Sequence, residues 1–407
     1  MEKLAFGKTI MSEYTMNTIL VHEGERQPPP SGRPVAAPIY TTVTYTYDSM
    51  SDLTAALDGE SGDYSYSRYG NPNVAALNAV MRTIENGISA ESFASGMAAT
   101  HAALLLCGLE PGSEVLVSQD VYGATLGLLQ TVFAPFGVRA STADFNNIDA
   151  VRSRIKELRP RVLFAETISN PLLKVCDIPA VADAAHSIGA RLIIDNTFAS
   201  PFLCRPLDLG ADIVVHSATK YLSGHGDSMG GVVITANAAD TSRLESVKRL
   251  VGGVLGPLEA HEITRGIKTL GIRQQRQCEN ATEMAEYLSS HREIKKVHFP
   301  TLSNSGDKIA HRILREPFGG ALVTVVLAKD SRDAAFRFMD GLRLCLKATS
   351  LGDIQTLVSH PATSSHRELT DEQRADIGIS DGMVRISVGI EDINDLINDI
   401  SQALDAV

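Results

Sequence analysis

The sequence predicts an α/β fold, in which a mostly parallel β-sheet covered by helices on both faces is followed by a smaller C-terminal α+β domain. Between residues 65 and 255, short apolar runs alternate with segments of helical periodicity. Apolar runs of this kind suit strands that are buried on both faces, and their alternation with helices is typical of a parallel sheet. From residue 256 onward the sequence is more charged and more helical, which indicates a second domain.

The first 64 residues are predicted to form an arm. A triple proline at positions 28–30 resists regular structure, and the Thr-, Val- and Tyr-rich stretch 40–47 suits extended backbone. A segment with so little helical periodicity seldom folds alone. We therefore expect residues 1–64 to contact a neighbouring subunit.

The large domain, residues 65–255, is predicted to alternate strands and helices. Strands are predicted at 114–118, 162–165, 191–194 and 213–215. Helices are predicted at 95–106, 124–136 and 179–188. Such sheets bind ligands beyond the carboxyl ends of their strands. Because Glu166, Asp195 and the segment 217–220 come at the ends of three of these strands, we expect them to converge on one site.

The C-terminal domain, residues 256–407, is predicted from longer helical segments and two further strands. Its helices are predicted at 259–270, 273–290 and 394–404, and its strands at 321–327 and 384–388. No internal repeat is visible in the sequence. A chain of 407 residues is long enough for two such domains.

The composition argues against several classes of function. The net charge of −11 is unlike that of a nucleic-acid-binding protein, which normally carries a basic face. No apolar run approaches the ~18 residues of a membrane span, and the N-terminus does not resemble a signal peptide. The five cysteines are scattered without a Cys-x-x-Cys pair. They predict reduced thiols, a cytoplasmic location and no zinc site.

The segment around Lys220 carries the most specific chemical signal. Lys220 follows the predicted strand 213–215, and Asp195 ends the strand before it. A lysine amine can form a Schiff base, and a carboxylate can hold a pyridine nitrogen protonated so that the ring accepts electrons. The hydroxyls of Ser217 and Thr219 can donate to a phosphate. These residues together predict a site for pyridoxal 5′-phosphate.

Other candidate residues carry weaker signals when each is considered alone. A helix that opens with Gly96 and Met97 presents free amide groups to a phosphate, although many helices open in this way for capping only. Tyr122 can stack on a flat ring or be an ordinary surface or core tyrosine. Tyr66 and Arg68 can bind a phosphate or lie in a polar loop.

Two more residues are candidates for binding small polar groups. Asn170 lies in an Asn-Pro turn and can donate to a ring oxygen, although such turns are common. Arg385 lies at the start of the predicted strand 384–388 and offers the guanidinium fork that an amino-acid carboxylate needs. A surface arginine on an edge strand is the alternative. No dinucleotide, Walker or zinc-helix motif occurs, so no metal site is expected.

Taken together, these segments resemble the cystathionine γ-synthase family of Cys/Met-metabolism pyridoxal phosphate enzymes. The resemblance runs from about Thr18 to the C-terminus and rests on residues 66–72, 95–99, 122–123, 166–171, 195–197, 217–221, 350–352, 360–362 and 385–391. It implies the aspartate-aminotransferase type of fold, fold type I, with a seven-stranded, mostly parallel sheet. It also implies a homotetramer of two active dimers, whose sites are shared between subunits.

The resemblance implies roles for the residues around the cofactor ring. Lys220 would form the Schiff base and move protons. Asp195 would pair with the ring nitrogen, and Tyr122 would stack on the ring and act in acid–base steps. Thr197 and Asn170 would complete this part of the cofactor site.

The resemblance also implies how the phosphate and the substrate would be bound. Within one subunit the phosphate would contact Gly96, Met97, Ser217 and Thr219. Tyr66 and Arg68 would reach the phosphate of the adjacent subunit, in agreement with the predicted arm. The substrate carboxylate would bind to Arg385, with the help of Ser350 and Asn170.

The reaction implied is elimination or replacement at the γ-carbon of an amino acid. Thr349 stands where members that handle cystathionine commonly carry Glu, Ala124 where methionine γ-lyases commonly carry Cys, and Arg249 near a position that is acidic in those lyases. These differences favour γ-replacement on O-acetyl- or O-succinylhomoserine by a sulfur nucleophile. The alternatives are γ-elimination of the methionine or cystathionine γ-lyase type, cystathionine γ-synthase activity, and γ-replacement with an unusual nucleophile. A non-catalytic relative is disfavoured because Lys220 and Asp195 are both present.

Overall fold

The computed structural model describes residues 15–16, 32, 34–302, 308–405 and 407. The chain divides into two units, residues 1–38 and 39–407. In the first unit every described residue is exposed, and the triple proline at 28–30 lies outside the described residues. The second unit contains all the strands named below and all the helices numbered below.

Among the described residues, the larger sheet has seven strands. They are β1 (Ser89–Phe93), β2 (Glu114–Ser118), β3 (Arg139–Ala143), β4 (Val162–Glu166), β5 (Arg191–Asp195), β6 (Ile213–Ser217) and β7 (Gly231–Thr235). Their order is β1-β7-β6-β5-β4-β2-β3. Only β7 runs antiparallel to its neighbours, β1 and β6. The predicted seven-stranded, mostly parallel sheet is therefore confirmed.

Helices cover both faces of this sheet. The helices numbered up to residue 251 are α1 (Met50–Asp58), α2 (Pro72–Ile84), α3 (Gly96–Leu106), α4 (Gly123–Leu128), α5 (Ile148–Leu158), α6 (Ile178–His186), α7 (Ser200–Leu203) and α8 (Thr241–Val251). Successive residues of a strand point to opposite faces. Accordingly Leu163 joins the hydrophobic core on one face, and Phe164 joins the core on the other. Burial on both faces explains why the central strands are continuous apolar runs.

The second sheet has five strands in the described part of the chain. They are β8 (Ile294–His298), β9 (Leu322–Leu327), β10 (Leu346–Lys347), β11 (Leu357–Ser359) and β12 (Met383–Ser387), in the order β10-β11-β12-β9-β8. The accompanying helices are α9 (Pro257–Ile267), α10 (Leu270–Ser289), α11 (Lys308–Ile313), α12 (Arg332–Gly341), α13 (Asp371–Asp376) and α14 (Ile393–Leu404). None of the helices in the described segments is both long and apolar enough to cross a membrane.

One segment differs from its predicted form. The predicted helix 124–136 is divided into α4, a π-helical turn (Leu129–Phe133) and a 3₁₀ turn (Ala134–Phe136). The stretch 40–47 is joined to residues 65–67 by an isolated bridge between Thr44 and Tyr66 and by backbone hydrogen bonds from Tyr45 N–H to Ser65 O and from Ser67 N–H to Val43 O. The domain limits at 64/65 and 255/256 stay predictions.

Candidate active site

Three neighbouring strands of the large sheet end at the predicted site residues. β4 ends at Glu166, β5 at Asp195 and β6 at Ser217. Glu166 and Asp195 are register partners. The residue after Asp195 still pairs with β6, because the Asn196 N–H donates to Val215 O at 2.9 Å. The expected convergence at the carboxyl edge of the sheet is confirmed.

Lys220 lies in the turn that follows β6. Its Nζ donates to Ser350 Oγ at 3.0 Å, so the amine faces the loop that precedes β11. Burial lowers the pKa of Lys220, and the nearby Arg385 lowers it further, while Asp353 opposes the shift. A lysine with a lowered pKa has more of its amine unprotonated at neutral pH, as a nucleophile requires.

Asp195 is held by the residues that follow it. Thr197 N–H donates to Asp195 Oδ1 at 2.9 Å. Burial raises the pKa of Asp195, whereas the hydrogen bonds from Thr197 and the charge of His216 oppose this rise. No lysine or arginine in the described ranges forms an ion pair with Asp195. The charge of this carboxylate is therefore not neutralised by a lysine or arginine of the described chain, and a protonated ring nitrogen would suit it as a partner.

Glu166 connects the edge of the sheet to Tyr122. The Tyr122 N–H donates to Glu166 Oε1 at 2.7 Å, which fixes the start of α4 against β4. Burial and the neighbouring Asp195 raise the pKa of Glu166 well above its usual value. The Tyr122 side chain is 44% exposed. Its ring is thus available for stacking on a group bound at this edge.

A phosphate-sized cradle is formed where α3 begins beside the end of β6. A Cβ on Gly96 would lie 2.8 Å from Ser217 Cβ, so only glycine allows the helix to come this close. Ser95 Oγ caps the helix by accepting from Ala98 N–H at 3.1 Å. The earlier amides of Gly96 and Met97 cannot have intrahelical partners, and the helix dipole favours an anion in front of them.

Ser217 and Thr219 are the other two predicted phosphate ligands, and their hydrogen bonds within the chain differ. Ser217 N–H donates to Thr197 Oγ1 at 2.8 Å, which leaves the Ser217 hydroxyl beside Gly96. Thr219 Oγ1 accepts from Gly230 N–H at 3.1 Å and donates to Gly230 O at 3.3 Å. The Thr219 hydroxyl would have to exchange this weak bond to Gly230 O for a phosphate oxygen.

Arg385 provides the buried cation of the site. Nη1 donates to Asn170 Oδ1 at 2.8 Å, Nη2 donates to Ser350 O at 3.2 Å, and Nε has no hydrogen-bond partner in the described part of the chain. Burial lowers the pKa of Arg385 to about 10. A buried cation without an acidic partner is costly, so this position suits an anionic ligand.

The expected position of Arg385 at the start of its strand was wrong. β12 begins two residues earlier, because Met383 and Val384 already pair with Val326 and Val325 of β9. Arg385 therefore lies in the middle of a central strand and is 4% exposed. This position also excludes the alternative of a surface arginine on an edge strand.

Tyr66 and Arg68 lie together but are not joined to the residues above. Arg68 Nη1 donates to Arg249 O at 2.7 Å, and its guanidinium lies 5.5 Å from the Tyr66 ring centroid and 4.9 Å from that of Tyr69. Over the described ranges, no hydrogen bond or ring contact links Tyr66 or Arg68 to Lys220. The structure of one chain thus leaves their expected role towards an adjacent subunit as a prediction.

The residues at this edge fit pyridoxal phosphate. The half-buried amine of Lys220 suits the aldehyde of that cofactor, and the carboxylate of Asp195 suits its ring nitrogen. The start of α3, where a Cβ on Gly96 would clash, suits its phosphate. The unpaired Nε of Arg385 remains for the carboxylate of an amino acid.

Several neighbours of the site were missed by sequence reasoning. The guanidinium of Arg385 lies 6.0 Å from the Phe198 ring centroid, and the charge of Asp353 acts on Lys220. His216 and Glu85 form a buried contact behind Asp195. Only the position of His216, directly before Ser217, signalled its importance. Glu85 is distant in sequence and belongs to no recognisable motif.

Comparisons with known proteins agree with this chemistry. The family model described as Cys/Met metabolism PLP-dependent enzyme matches residues 17–405. The chain is 40% identical to L-methionine gamma-lyase of Pseudomonas putida, over 96% of this chain and 97% of that protein. It is 38% identical to cystathionine gamma-lyase of Bacillus subtilis, over 96% and 99%. The structure of cystathionine gamma synthase from Xanthomonas oryzae pv. oryzae in complex with cystathionine matches with a TM-score of 0.85 and 34% identity, over 91% and 93%.

Proposed function

The chain belongs to the family of Cys/Met-metabolism PLP-dependent enzymes, and we propose that it catalyses γ-elimination from a sulfur-containing L-amino acid, with L-methionine as the first candidate substrate. The proposal rests on two hydrogen bonds of Ser350, whose hydroxyl accepts from Lys220 Nζ and whose carbonyl accepts from Arg385 Nη2. Through Ser350, the guanidinium of Arg385, which has no carboxylate partner in the described part of the chain, is connected to the reactive amine. An α-amino acid bound by its carboxylate at Arg385 would present its α-carbon to Lys220.

Similarity over nearly the whole chain supports elimination over replacement. Thr349, Ala124 and Arg249 alone favoured γ-replacement, but each is a single position in the chain. The likeness to the methionine γ-lyase extends over 96% of the chain. We therefore give it more weight than these three substitutions.

The proposed mechanism assigns the proton transfers to a few side chains. Bound pyridoxal phosphate supplies an electron-poor ring that is conjugated with the substrate α-carbon. Lys220 Nζ would take the proton from Cα, give that proton up to the conjugated system of substrate and cofactor, and then, as a free amine again, take the proton from Cβ, because one amine on a flexible side chain can serve successive steps. Asp195 would keep the ring nitrogen protonated, and the Tyr122 hydroxyl would protonate the departing γ-substituent.

The second candidate is γ-replacement on O-acetyl- or O-succinylhomoserine by a small sulfur nucleophile. Ala124 favours it. Methionine γ-lyases commonly carry Cys at this position, whereas this chain has only a methyl side chain, two residues after the exposed Tyr122. Arg249 also favours a different substrate, since its guanidinium lies 5.4 Å from the Tyr69 ring centroid in place of an acidic group. Cystathionine γ-synthase activity and a less common nucleophile remain variants of this candidate.

The proposal includes a homotetramer of two active dimers. Tyr66, Arg68 and the arm 1–64 would complete the phosphate site of the adjacent subunit. The exposed guanidinium of Arg68, held above two tyrosine rings, is in a form that can bind such a phosphate. A cytoplasmic location is part of the proposal, supported by five free, buried cysteines that suit a reducing compartment.

A substrate panel tests the proposed reaction. The cofactor-loaded protein is incubated separately with L-methionine, cystathionine, O-acetylhomoserine and O-succinylhomoserine, with and without sulfide. Released thiol, 2-oxobutyrate and new amino-acid products are measured. We expect 2-oxobutyrate and methanethiol from L-methionine without added sulfide.

The same panel distinguishes the two candidates. If 2-oxobutyrate forms from none of the substrates while homocysteine forms from an ester and sulfide, the elimination proposal is wrong and replacement is correct. A Lys220→Ala variant is the control, since background hydrolysis of the esters does not depend on the lysine.

A further inference from the structure

An ion pair joins the chain before Tyr122 to a turn in the chain after β4. Lys174 Nζ lies 2.9 Å from Asp120 Oδ2, and the two side chains are 34% and 4% exposed. Asn146 Nδ2 donates to the same carboxylate oxygen at 3.2 Å. Lys174 thus compensates the charge of a carboxylate that is almost fully buried. The mechanism proposed above uses neither member of this pair.

The Asp120 end of the pair belongs to the short connection between β2 and α4. Asp120 lies two residues before Tyr122, which directly precedes α4 and does not cap that helix with its side chain. The Tyr122 N–H donates to Glu166 Oε1 at 2.7 Å. A segment held by this one bond could turn about it. The attachment of Asp120 to Lys174 is a second fixed point, and two points set the direction of the segment.

The Lys174 end of the pair closes the turn that carries Asn170. Ser169 N–H donates to Lys174 O at 2.9 Å, and Lys174 N–H donates to Ser169 Oγ at 3.2 Å. Asn170 directly follows Ser169, and its Oδ1 accepts from Arg385 Nη1 at 2.8 Å. We refer to residues 169–174 as the Asn170 turn. A displacement of Lys174 is therefore passed through the base of this turn to the partner of Arg385.

The ion pair also borders a small cavity. The cavity is lined by both members of the pair and by Asn146, Glu166 and Ser169, among others. Side chains that border a void lack packing partners on one side, so dispersion contacts hold them less firmly there. The ion pair therefore has a larger part in setting the distance between the Tyr122 segment and the Asn170 turn.

From this arrangement, and resting on the assignment of Arg385 in the proposed function, we propose that Asp120 and Lys174 are positioning residues. They hold the Tyr122 segment and the Asn170 turn in a fixed relation, so that Tyr122 and Arg385 act on the same bound amino acid. Without Lys174 the buried carboxylate of Asp120 would lose its compensation, and the segment would have to move towards water or take up a proton. The Asn170 turn would then lose its attachment, and Arg385 would hold a carboxylate less well.

The test compares two ligands that differ only by the α-carboxylate, L-norleucine and n-pentylamine. Neither has a leaving group at the γ-carbon, so binding to the cofactor-loaded protein is followed by absorbance without elimination. The wild type, Asp120→Ala and Lys174→Met are titrated with both. The ratio of the Kd of pentylamine to that of norleucine reports the carboxylate site. We expect this ratio to fall about tenfold in each variant, because a small misplacement of a binding group is costly.

The double variant, Asp120→Ala with Lys174→Met, tests whether the two residues act as one unit. Its ratio should fall no further than in the single variants, because the contact can be lost only once. A fall equal to the product of the two single effects would overturn the proposal. The double variant leaves no buried charge without a partner, so it also covers the case in which Lys174→Met fails to fold.

The visible circular dichroism of the bound cofactor reports the Tyr122 side of the pair. This signal depends on asymmetric contacts with the ring, such as a stacked aromatic side chain. Tyr122→Ala defines the part of the signal that is lost with the stacking ring. We expect Asp120→Ala and Lys174→Met to lose some of the same part. A spectrum equal to that of the wild type in both would contradict the role given to the pair.

Two controls separate positioning from general stability. Lys174→Arg keeps a cation beside Asp120 and should keep the wild-type ratio of Kd values. Arg191→Met breaks the pair of Arg191 with Asp240, whose side chains are 24% and 11% exposed, at the opposite end of β5 from Asp195. It should lower the Tm without changing the ratio. If Lys174→Met does the same, the pair is merely structural and the proposal is wrong.

Arg385→Gln separates a failure of this inference from a failure of the proposed function. If this variant keeps the wild-type ratio, the carboxylate is not bound at Arg385, and the proposed function loses its support together with the inference. If Arg385→Gln loses the preference for norleucine while Asp120→Ala and Lys174→Met keep it, only the inference is wrong. The choice between elimination and replacement does not affect the ratio, because neither ligand reacts at its γ-carbon.

Discussion

Lys220 and Arg385 are two basic side chains of the interior that share Ser350 as a hydrogen-bond partner, and neither forms an ion pair with a carboxylate in the described part of the chain. Burial is the largest cause of the lowered pKa of each. Ser350 joins them, with its hydroxyl accepting from Lys220 and its carbonyl from Arg385. Holding charges apart from water costs several kcal/mol. That cost explains why the amine is biased towards its neutral form and why the guanidinium is open to an anion.

The first prediction concerns the pH dependence of the amine. Because the positive charge of Arg385 lowers the pKa of Lys220, Arg385→Met should raise that pKa. Only the unprotonated amine reacts with an acylating reagent, so the rate of Lys220 modification in the cofactor-free protein should rise at a higher pH than in the wild type. Peptide mass spectrometry of samples taken across the pH range gives the profile.

Arg385→Lys is the control for this experiment, since it keeps a cation at the same position. Its profile should stay close to that of the wild type. Identical profiles for the Met and Lys variants would show that the charge of Arg385 does not act on Lys220.

At the scale of the elements, the site depends on how closely α3 approaches β6. The sequence predicted α3 and the strands β2, β4, β5 and β6, because their apolar runs are continuous. The meeting of Gly96 with Ser217 follows from the three-dimensional arrangement alone, since the two residues are more than one hundred positions apart.

Gly96→Ala should displace the start of α3. The added Cβ would lie 2.8 Å from Ser217 Cβ, a distance that requires movement of the backbone. We expect the affinity for pyridoxal phosphate to fall about tenfold or more, through the loss of charge-assisted hydrogen bonds to the phosphate. Absorbance titration of the cofactor-free protein measures the change.

Gly271→Ala is the matched control, because nothing lies within 4 Å of the position of its Cβ at the start of α10. It should stabilise the fold by up to about 1 kcal/mol and leave cofactor affinity unchanged. Equal affinity in the two variants would contradict the role given to the N-terminus of α3.

β1 is one of the elements that sequence reasoning missed, and its buried polar residues are the reason. β1 contains Ser89, Glu91 and Ser92, which are unlike the residues of an apolar strand. In the structure Glu91 pairs with Lys248, and Ser89 bonds Thr235, so their polarity is compensated inside the protein. Compensation by residues far along the chain leaves no local periodicity. The contact between Glu85 and His216 escaped prediction for the same reason.

At the scale of the whole molecule, an exposed aromatic surface surrounds Arg68, and no hydrogen bond or ring contact in the described part of the chain joins it to Lys220. Tyr66 and Tyr69 are each 37% exposed beside Arg68, while Lys220 is half-buried. Leu250, next to Arg249, is 85% exposed. An exposed apolar and aromatic surface with a cation at its centre is typical of a protein interface. The motif residues 66–72 predicted a phosphate site, and the phosphate expected there is the one bound by the adjacent subunit.

Mixing two inactive variants tests whether subunits share a site. Lys220→Ala and Arg68→Ala are purified separately and allowed to exchange subunits. In a mixed dimer, one site would combine Lys220 from one subunit with Arg68 from the other, so we expect partial recovery of activity. The absence of recovery, after subunit exchange has been demonstrated by mass spectrometry, would show that Arg68 acts within its own chain.

The most direct test of the account is reduction of the cofactor-loaded protein with borohydride, followed by digestion and mass spectrometry. The imine between Lys220 and the aldehyde of pyridoxal phosphate would be reduced to a stable amine. We expect one phosphopyridoxyl group, located on the peptide that contains Lys220. A label on a different lysine, or an unmodified Lys220 in protein that retains its cofactor, would contradict it.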